Sequence, residues 1–230
     1  MDKANVRKHR TYRSDAGRLY TSVYRPFVKH GCFDWQLNDM MCRLYECFPT
    51  PAHDNLGFYL TGVSSRHDFS ALLVDSVPNL HPLDTGQFFP RWTWEKVWGR
   101  HAAEDDGFNL DALSEPPGEA GSAVGREGEV IGDHRRVDNM TDATLNAYRA
   151  AYGPETGKAD VFYYVYGFLH HPEYRARHGA DLKKSLPRIP LVSTREDFTA
   201  LATAGRAVAD LHLDYEEVEP WPLTLAVNGI

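Results

Sequence analysis

The chain has 230 residues, of which 42% are hydrophobic and 12% aromatic, so it can form a sizeable core without disulfide or metal support. Its formal net charge of -7 excludes a uniformly basic nucleic-acid coat protein, and no apolar stretch approaches the roughly 20 residues of a membrane span. Cys32, Cys42 and Cys47 form no CxxC pair, and the basic segment 1–13 lacks the hydrophobic stretch of a signal peptide. These features predict reduced thiols and a cytoplasmic location.

Charge is distributed unevenly along the chain. Residues 1–30 contain eight Lys or Arg against two acids, and residues 101–133 contain nine acids against one Arg. A second basic run lies at 174–188. A chain of this kind can bind a polyanion only if its basic residues gather on one face while its acids lie elsewhere. Such a surface is expected to include some of Arg25, Lys29, Lys183, Lys184 and Arg188.

After a charged lead-in at 1–18, residues 19–98 have the pattern of a β-rich region. Short runs of Tyr, Val, Thr and other apolar residues between Pro and Gly indicate strands. Asn38 is expected to cap the one helix of this region, which runs to about Cys47 because Pro49 follows. The strands are predicted at residues 19–27, 31–35, 56–63, 69–75 and 87–94.

Residues 99–138 are rich in Gly, Ala, Asp, Glu and Pro without apolar periodicity, which predicts an exposed acidic loop or insert. Residues 139–230 are expected to be helical, because apolar residues recur there at helical spacing between capping and stopping residues. The helices are predicted from Thr141 to Gly153, Ala159 to His170, Pro172 to about Gly179, Leu182 to Leu186, and Thr194 to about Leu211. The fold class is therefore mixed α+β, with a β-rich N-terminal half packed against a helical C-terminal half.

Known catalytic motifs are incomplete in this sequence. The stretch from Gly153 to Ala159 has three residues between its glycines and no hydroxyl after Lys158, so it does not meet the requirements of a phosphate loop. Asp160 together with Asp181-Leu182-Lys183 matches the sequence pattern of a metal-dependent nuclease. Both segments lie in predicted helices, however, whereas the nuclease chemistry uses a strand edge. No catalytic residue and no metal ligand is assigned, and the nuclease stays as an enzyme alternative.

Three groups of residues, in order and approximate spacing, carry a family resemblance. The first contains Tyr24-Arg25-Pro26-Phe27, and the second contains Gln87-Phe-Phe-Pro90. The third and most specific runs from Val161 to Arg175 and continues at 181–190. The chain resembles the C-terminal specificity domain of type ISP restriction–modification enzymes, over roughly 18–222 with the predicted insert excluded.

The resemblance implies a role in sequence-specific recognition of double-stranded DNA. In that family one polypeptide carries a nuclease, a translocating ATPase, an adenine-N6 methyltransferase and the target-recognition domain. The motifs of the first three are missing here, so this chain is expected to do no chemistry and to bind no cofactor. S-adenosylmethionine, ATP and Mg²⁺ would belong to the missing domains. The expected partners are double-stranded DNA and the methyltransferase domain or subunit of the parent enzyme, with no membrane.

Ten side chains are candidates for DNA contact under this interpretation. Arg and Lys would hold phosphates, whereas Arg, Asn and Gln would read base edges in the major groove. The phosphate candidates are Arg25, Lys29, Arg43, Lys183, Lys184 and Arg188. The base-reading candidates are Gln36, Asn38, Arg66 and Arg91. Each also has a structural alternative, such as a strand-end cap for Arg25, the helix cap for Asn38 and packing on Tyr174 for Arg188.

A different class of function stays open beside DNA recognition. The helical half could instead dock the methyltransferase core or another partner and contribute little DNA contact. An exposed apolar face on the segment from Val161 to Pro190 would favour this docking module. An independent enzyme would require a polar pocket with convergent titratable groups.

Overall fold

Strands dominate the N-terminal part of the chain and helices the C-terminal part, which confirms the mixed α+β prediction. The computed structural model describes residues 16–33, 44–63, 65–79, 82–97, 127–219 and 222. The strands are β1 (Leu19–Arg25), β2 (Val28–Phe33), β3 (Gly57–Thr61), β4 (Ala71–Val74), β5 (Val77–Pro78), β6 (Gly86–Pro90), β7 (Trp92–Lys96), β8 (Val130–Ile131) and β9 (His134–Asp138). The helices are α1 (Asp142–Tyr152), α2 (Lys158–His170), α3 (Pro172–Leu182) and α4 (Arg195–Leu213).

The strands form three small sheets, with the orders β2-β1-β5, β4-β3-β6 and β7-β9-β8. All five residues of β3 are buried. Phe58 and Leu60 pack with residues of α2, whereas Tyr59 packs with Val23 of β1 on the opposite face. Burial on both faces explains why this strand is visible in the sequence as an almost continuous apolar run.

The predicted strand at 87–94 is wrong as a single element, because the chain changes sheets at Arg91. β6 pairs with β3, whereas β7 pairs with β9. The backbone N–H of Arg91 donates to the carbonyl of Leu56 at 2.6 Å, outside either ladder. Aromatic residues on both sides of the break made the two strands look continuous in the sequence.

The predicted insert at 99–138 extends too far towards the C-terminus. Its residues 99–126 lie outside the described part of the chain, but residues 130–138 form the hairpin of β8 and β9. The chain leaves the β7-β9-β8 sheet at Val97 and returns next to this residue at Asp133. The Val97 N–H donates to the Asp133 carbonyl at 2.9 Å.

Charged residues at the buried positions of β9 concealed that strand from pattern analysis. Arg136 and Asp138 are both buried, and Arg136 is only 1% exposed. Apolar alternation is the usual signal of a half-buried strand, and here the inward positions carry paired charges instead. The boundary of the insert could not be found from hydrophobicity alone.

Two other predicted elements of the N-terminal half differ from the structure in their type or bounds. The described part of the predicted Asn38 helix is a 3-10 turn at Leu44–Glu46, and Asn38 itself lies outside the described residues. The second strand begins three residues earlier than predicted, because β1 and β2 are joined by a tight turn at Pro26 and Phe27. Phe27 adopts a positive φ of 59° in that turn.

The helix ends follow the predicted capping residues. The hydroxyl of Thr141 accepts from the Thr144 N–H at 3.2 Å, and that of Thr194 accepts from the Asp197 N–H at 3.1 Å. Gly153 ends α1 with a φ of 112°. The predicted helix at 182–186 is wrong, because α3 ends at Leu182 and a turn and an extended segment follow.

Helices α2 and α4 cross with their backbones in contact at two glycines. A Cβ placed on Gly205 would lie 2.0 Å from the carbonyl oxygen of Tyr163, and one placed on Gly167 would lie 2.2 Å from that of Leu201. Real Cβ atoms do not approach backbone oxygens so closely, so any larger residue would force the helices apart. Gly205 belongs to the buried stripe of α4, where it faces α2 directly.

Tyr166 of α2 joins the helices to the β4-β3-β6 sheet, hereafter the central sheet. Its hydroxyl accepts from the Leu73 N–H of β4 at 2.8 Å and pairs with the His212 Nδ1 of α4. The His170 ring lies 4.7 Å from the Tyr166 ring and 5.4 Å from that of His212. Burial lowers the pKa of His170 from 6.5 to about 4, with smaller contributions from His212 and Arg175.

The glycine crossing makes a direct prediction about stability. Gly205→Ala is expected to lower the free energy of unfolding by about 1–3 kcal/mol, because the new methyl group overpacks the helix contact. Gly179→Ala is the matched control, since a Cβ on Gly179 would meet nothing within 4 Å. That variant should be unchanged or more stable by up to about 1 kcal/mol. Urea denaturation compares the three proteins, and equal stability of the two variants would contradict the close crossing.

The environment of His170 predicts an acid-sensitive fold. Because its folded pKa lies below its ordinary value of 6.5, the unfolded chain binds the proton more readily. The free energy of unfolding should therefore fall as the pH drops from 6.5 towards 4. His170→Phe removes this titration, so its unfolding free energy should depend less on pH in that window. His67→Gln, on an exposed loop, is the control, and an unchanged pH profile in the His170 variant would assign the effect to other groups.

Candidate nucleic-acid interface

The β3–β4 loop, residues 62–70, brings basic residues from distant parts of the sequence together. Arg66 and His67 are exposed on the loop itself. Arg25, at the end of β1, lines a surface depression of about 720 Å³ together with His67. On the other side of the loop, Lys183 forms an ion pair of 2.8 Å with Asp68. The loop therefore connects the N-terminal basic run with the one at 174–188.

Asp84 anchors this loop at the start of β6. Its carboxylate accepts from the Ser65 hydroxyl at 2.9 Å and from the Arg66 N–H at 3.3 Å. These hydrogen bonds, the Ser65 hydroxyl first, hold the pKa of Asp84 below its ordinary value. The Arg66 side chain has no partner among the described residues, so its guanidinium group is exposed while its backbone is fixed.

A further contact holds the loop from the helical half. Arg175 of α3 donates to the carbonyl oxygen of Phe69 at 2.6 Å. Phe69 is buried in the same hydrophobic cluster as Phe58 and Leu60, so the loop is attached to the rest of the domain at both its ends. Arg175 was not among the candidates, and its role here is to position the loop.

The other phosphate candidates do not all share this surface. Lys29 pairs with Asp75 at 3.2 Å and lies 5.9 Å from the Tyr215 ring, beside the acidic turn that contains Glu216 and Glu217. Lys29 therefore has acidic neighbours, and its contribution to the basic surface, which is expected to include only some of the candidates, stays a prediction.

Lys184 and Arg188 are exposed in the segment that follows α3. The main-chain carbonyl of Arg188 accepts from the Tyr174 hydroxyl at 3.2 Å, which fixes the backbone of this segment against α3. Arg188 also lines a groove of about 1060 Å³ between α3 and α4, in which Asp181 and Asp197 balance the positive charge. Lys184 follows Lys183 directly in the chain, and Arg188 faces a groove that carries charges of both signs.

Arg91 is a structural residue, which corrects its assignment as a base reader. Its side chain is buried and forms two contacts with Asp138, of 3.0 and 2.9 Å. Burial lowers the pKa of Arg91 and the Asp138 carboxylate opposes this change. Its guanidinium group also lies 4.6 Å from the centre of the Trp92 ring. A side chain held in this way cannot reach a base without leaving Asp138 buried and unpaired.

A second buried arginine, Arg136, reinforces the same region. It lies over the rings of Trp92 and Trp94, at 5.6 and 4.6 Å, and pairs with Asp54 and Glu129. Both arginines therefore hold the β7-β9-β8 sheet to its surroundings. The remaining candidates Gln36, Asn38 and Arg43 lie outside the described residues and stay predictions.

Asp160 and Asp181 of the nuclease alternative both lie in helices and not at a strand edge. The Asp160 carboxylate accepts from the Gly157 N–H at 2.9 Å, as the cap of α2. Asp181 lies in the last turn of α3, exposed and 3.9 Å from His178. Among the residues that the structure describes, no group of three or more His, Cys, Asp or Glu could hold a metal ion. None of the helices in that part of the chain is long and apolar enough to cross a membrane.

Comparison with known proteins identifies relatives of this fold. The family model described as "Type ISP C-terminal specificity domain" matches residues 1–228. No curated protein sequence matches the chain.

Three solved structures similar to this chain are each described as a complex with DNA or with a DNA substrate mimic. The cryo-EM structure of a DrdV–DNA complex has a TM-score of 0.72 and 25% identity over 95% of this chain. The ATP-dependent Type ISP restriction–modification enzyme LlaBIII bound to DNA has a TM-score of 0.67 and 24% identity over 97%. A nuclease-deletion mutant of the Type ISP enzyme LlaGI with a DNA substrate mimic has a TM-score of 0.64 and 25% identity over 95%. The chain spans only 18%, 12% and 16% of those chains, respectively.

The structural assignment of Arg91 predicts a large effect on stability. Arg91→Met should lower the free energy of unfolding by about 3–5 kcal/mol, because Asp138 would keep a buried and unpaired charge. Arg66→Ala is the control, since this exposed side chain has no partner among the described residues, and its effect should stay within about 0.5 kcal/mol. Chemical denaturation measures both. A stable Arg91→Met protein with an altered DNA preference would restore the base-reading assignment.

Proposed function

The chain belongs to the Type ISP C-terminal specificity domain family, and on that premise we propose that it recognises a specific sequence in double-stranded DNA. The observation that carries this proposal is the family match, which extends over residues 1–228 and so includes nearly the whole chain. The exposed cations around the β3–β4 loop supply the charge that such a function needs.

In this proposal the β3–β4 loop holds the phosphate backbone. Arg66 is exposed on an anchored backbone, and the Arg25 guanidinium group lies 4.5 Å from the Tyr24 ring, which orients it. Lys183 pairs with the exposed Asp68, and exposed ion pairs of this kind are weak enough to exchange for a phosphate. Such contacts set affinity and register on the duplex without reading its sequence.

The chemistry of the parent enzyme lies elsewhere in this proposal. The chain corresponds to less than a fifth of each of the three solved chains described above. Adenine methylation, ATP-driven translocation and cleavage, with S-adenosylmethionine, ATP and Mg²⁺, would be supplied by other domains. This domain places those domains on their target in the cytoplasm and carries out no reaction alone.

A docking role for the helical half is a second candidate, supported by exposed apolar residues. Leu186 and Leu191 are both exposed in the segment after α3. Leu186 and Pro187 also line an apolar crevice of about 390 Å³ against Phe58 and Phe162. This segment could pack against the methyltransferase domain or subunit of the parent enzyme while the β3–β4 loop faces DNA. The two roles use different surfaces.

The DNA proposal predicts a salt-dependent affinity that depends on the loop. The Arg25→Gln, Arg66→Gln double variant should bind all duplexes more weakly. The plot of log K against log salt should be less steep by about 0.9 for each phosphate that the variant no longer neutralises. Fluorescence titration of the full chain with random and selected duplexes, at a series of salt concentrations, measures both quantities.

Arg195→Gln provides the matched control for this experiment. Arg195 pairs with Glu155 at the first turn of α4, which is 19 residues long, so it lies roughly 25 Å along that helix from His212. The His212 ring lies 5.5 Å from that of Phe27, two residues after Arg25, so Arg195 is at the far end of α4 from Arg25. Its replacement should leave the salt dependence unchanged. If the unmodified chain binds no duplex even at low salt, DNA recognition by this chain is refuted and the docking role becomes the better proposal.

A further inference from the structure

We propose that Gln87 of β6 reads a base pair in the major groove of the recognised DNA, a role that rests on the proposed function and locates its specificity. Gln87 is exposed, and its side-chain amide has no partner among the described residues. Gln87 is not among the base-reading candidates that the sequence analysis gives.

Gln87 lines a groove that consists mainly of apolar residues and also carries a few amide and hydroxyl groups. β6 is an edge strand of the β4-β3-β6 sheet, and a groove of about 470 Å³ runs along it. Asn79, Thr93 and Asn139 contribute further amide and hydroxyl groups to its walls. The Asn139 Nδ2 donates to the Pro90 carbonyl at 3.0 Å, which fixes this amide beside β6.

The charge of the groove favours bases over phosphates. The described residues that line it include Glu46 and no Lys, Arg or His. A carboxylate repels phosphate oxygens, but it can accept a hydrogen bond from the amino group of cytosine. Phosphates would therefore contact the cationic loop, and base edges would contact this groove.

The groove and the β3–β4 loop are adjacent along the same strand. Asp84, which anchors the loop, is two residues before Gly86, where β6 begins. The N–H of Gly62 in the loop donates to the Thr85 carbonyl at 2.6 Å. A strand of five residues extends over about 16 Å, and the major groove is about 12 Å wide, so one duplex can contact both surfaces.

The amide of Gln87 also has the right chemistry for a defined base. A glutamine side chain offers one acceptor and one donor in a plane, which matches the N6 amino group and N7 of adenine. We therefore assign an A·T pair as its target. Among the described residues that line the groove, Gln87 is the one that combines an exposed side chain with an amide free of protein partners.

Selection from a duplex library tests this assignment with the full 230-residue chain. Duplexes with a randomised central segment are enriched by binding and sequenced, and the affinities of the selected duplex and its single-base variants are then titrated. Gln87→Ala should reduce discrimination at one A·T position by about fivefold or more and leave the other positions intact. Gln87→Glu should shift the preference at that position towards cytosine, which a general loss of stability could not do.

Asn146→Ala is the matched control, because this amide is also exposed but lies on α1. Thermal melting of every variant confirms that it is folded. An unchanged sequence preference in both Gln87 variants overturns the role of Gln87 while leaving DNA recognition intact. Binding without any sequence preference overturns it as well, and absence of binding by the unmodified chain overturns the proposed function itself.

Discussion

The contact between the backbones of α2 and α4 is the constraint on which the rest of the domain depends. Glycine at both 167 and 205 allows the two helices to touch, and that distance determines what Tyr166 can reach. Its hydroxyl meets His212 on α4 and the Leu73 amide on β4, so one side chain links the helices to the edge of the central sheet. β4 in turn fixes one end of the β3–β4 loop, which carries exposed cations.

The net charge of -7 is compatible with the proposed binding of a polyanion, because three kinds of charged residue occupy different places in the domain. Arginines that stabilise the fold are buried with acids, as Arg91 is with Asp138. Cations available to solvent surround one anchored loop, and the acidic turn after α4 lies on the side of Lys29 instead. Total charge therefore says little about any one surface, because the buried pairs cancel within the protein and the local field is set by the exposed residues.

Much of the architecture was predictable because it depends on local rules. Thr141, Gly153 and Thr194 act as caps, and the apolar runs of β3 and β4 are strands, since these signals act over a few residues. The roles of the residues at the candidate site could not be predicted from such local rules. Arg91 and Arg66 are the same residue type in a β-rich region, and only the distant partner Asp138 distinguishes a buried arginine from an exposed one. The charged interior of β9 hid a strand for the same reason.

The hydrogen bond between Val97 and Asp133 has a practical consequence for protein engineering. This hydrogen bond brings the two ends of the β7–β8 connection together within one sheet. The sheet therefore sets the distance between these ends, whatever the number of residues in the connection. Closing a longer connection adds only about 0.6 kcal/mol for each doubling of its length. The position is therefore a natural point of insertion, where a fluorescent reporter or an affinity tag could be carried by the folded domain without displacing the strands on either side.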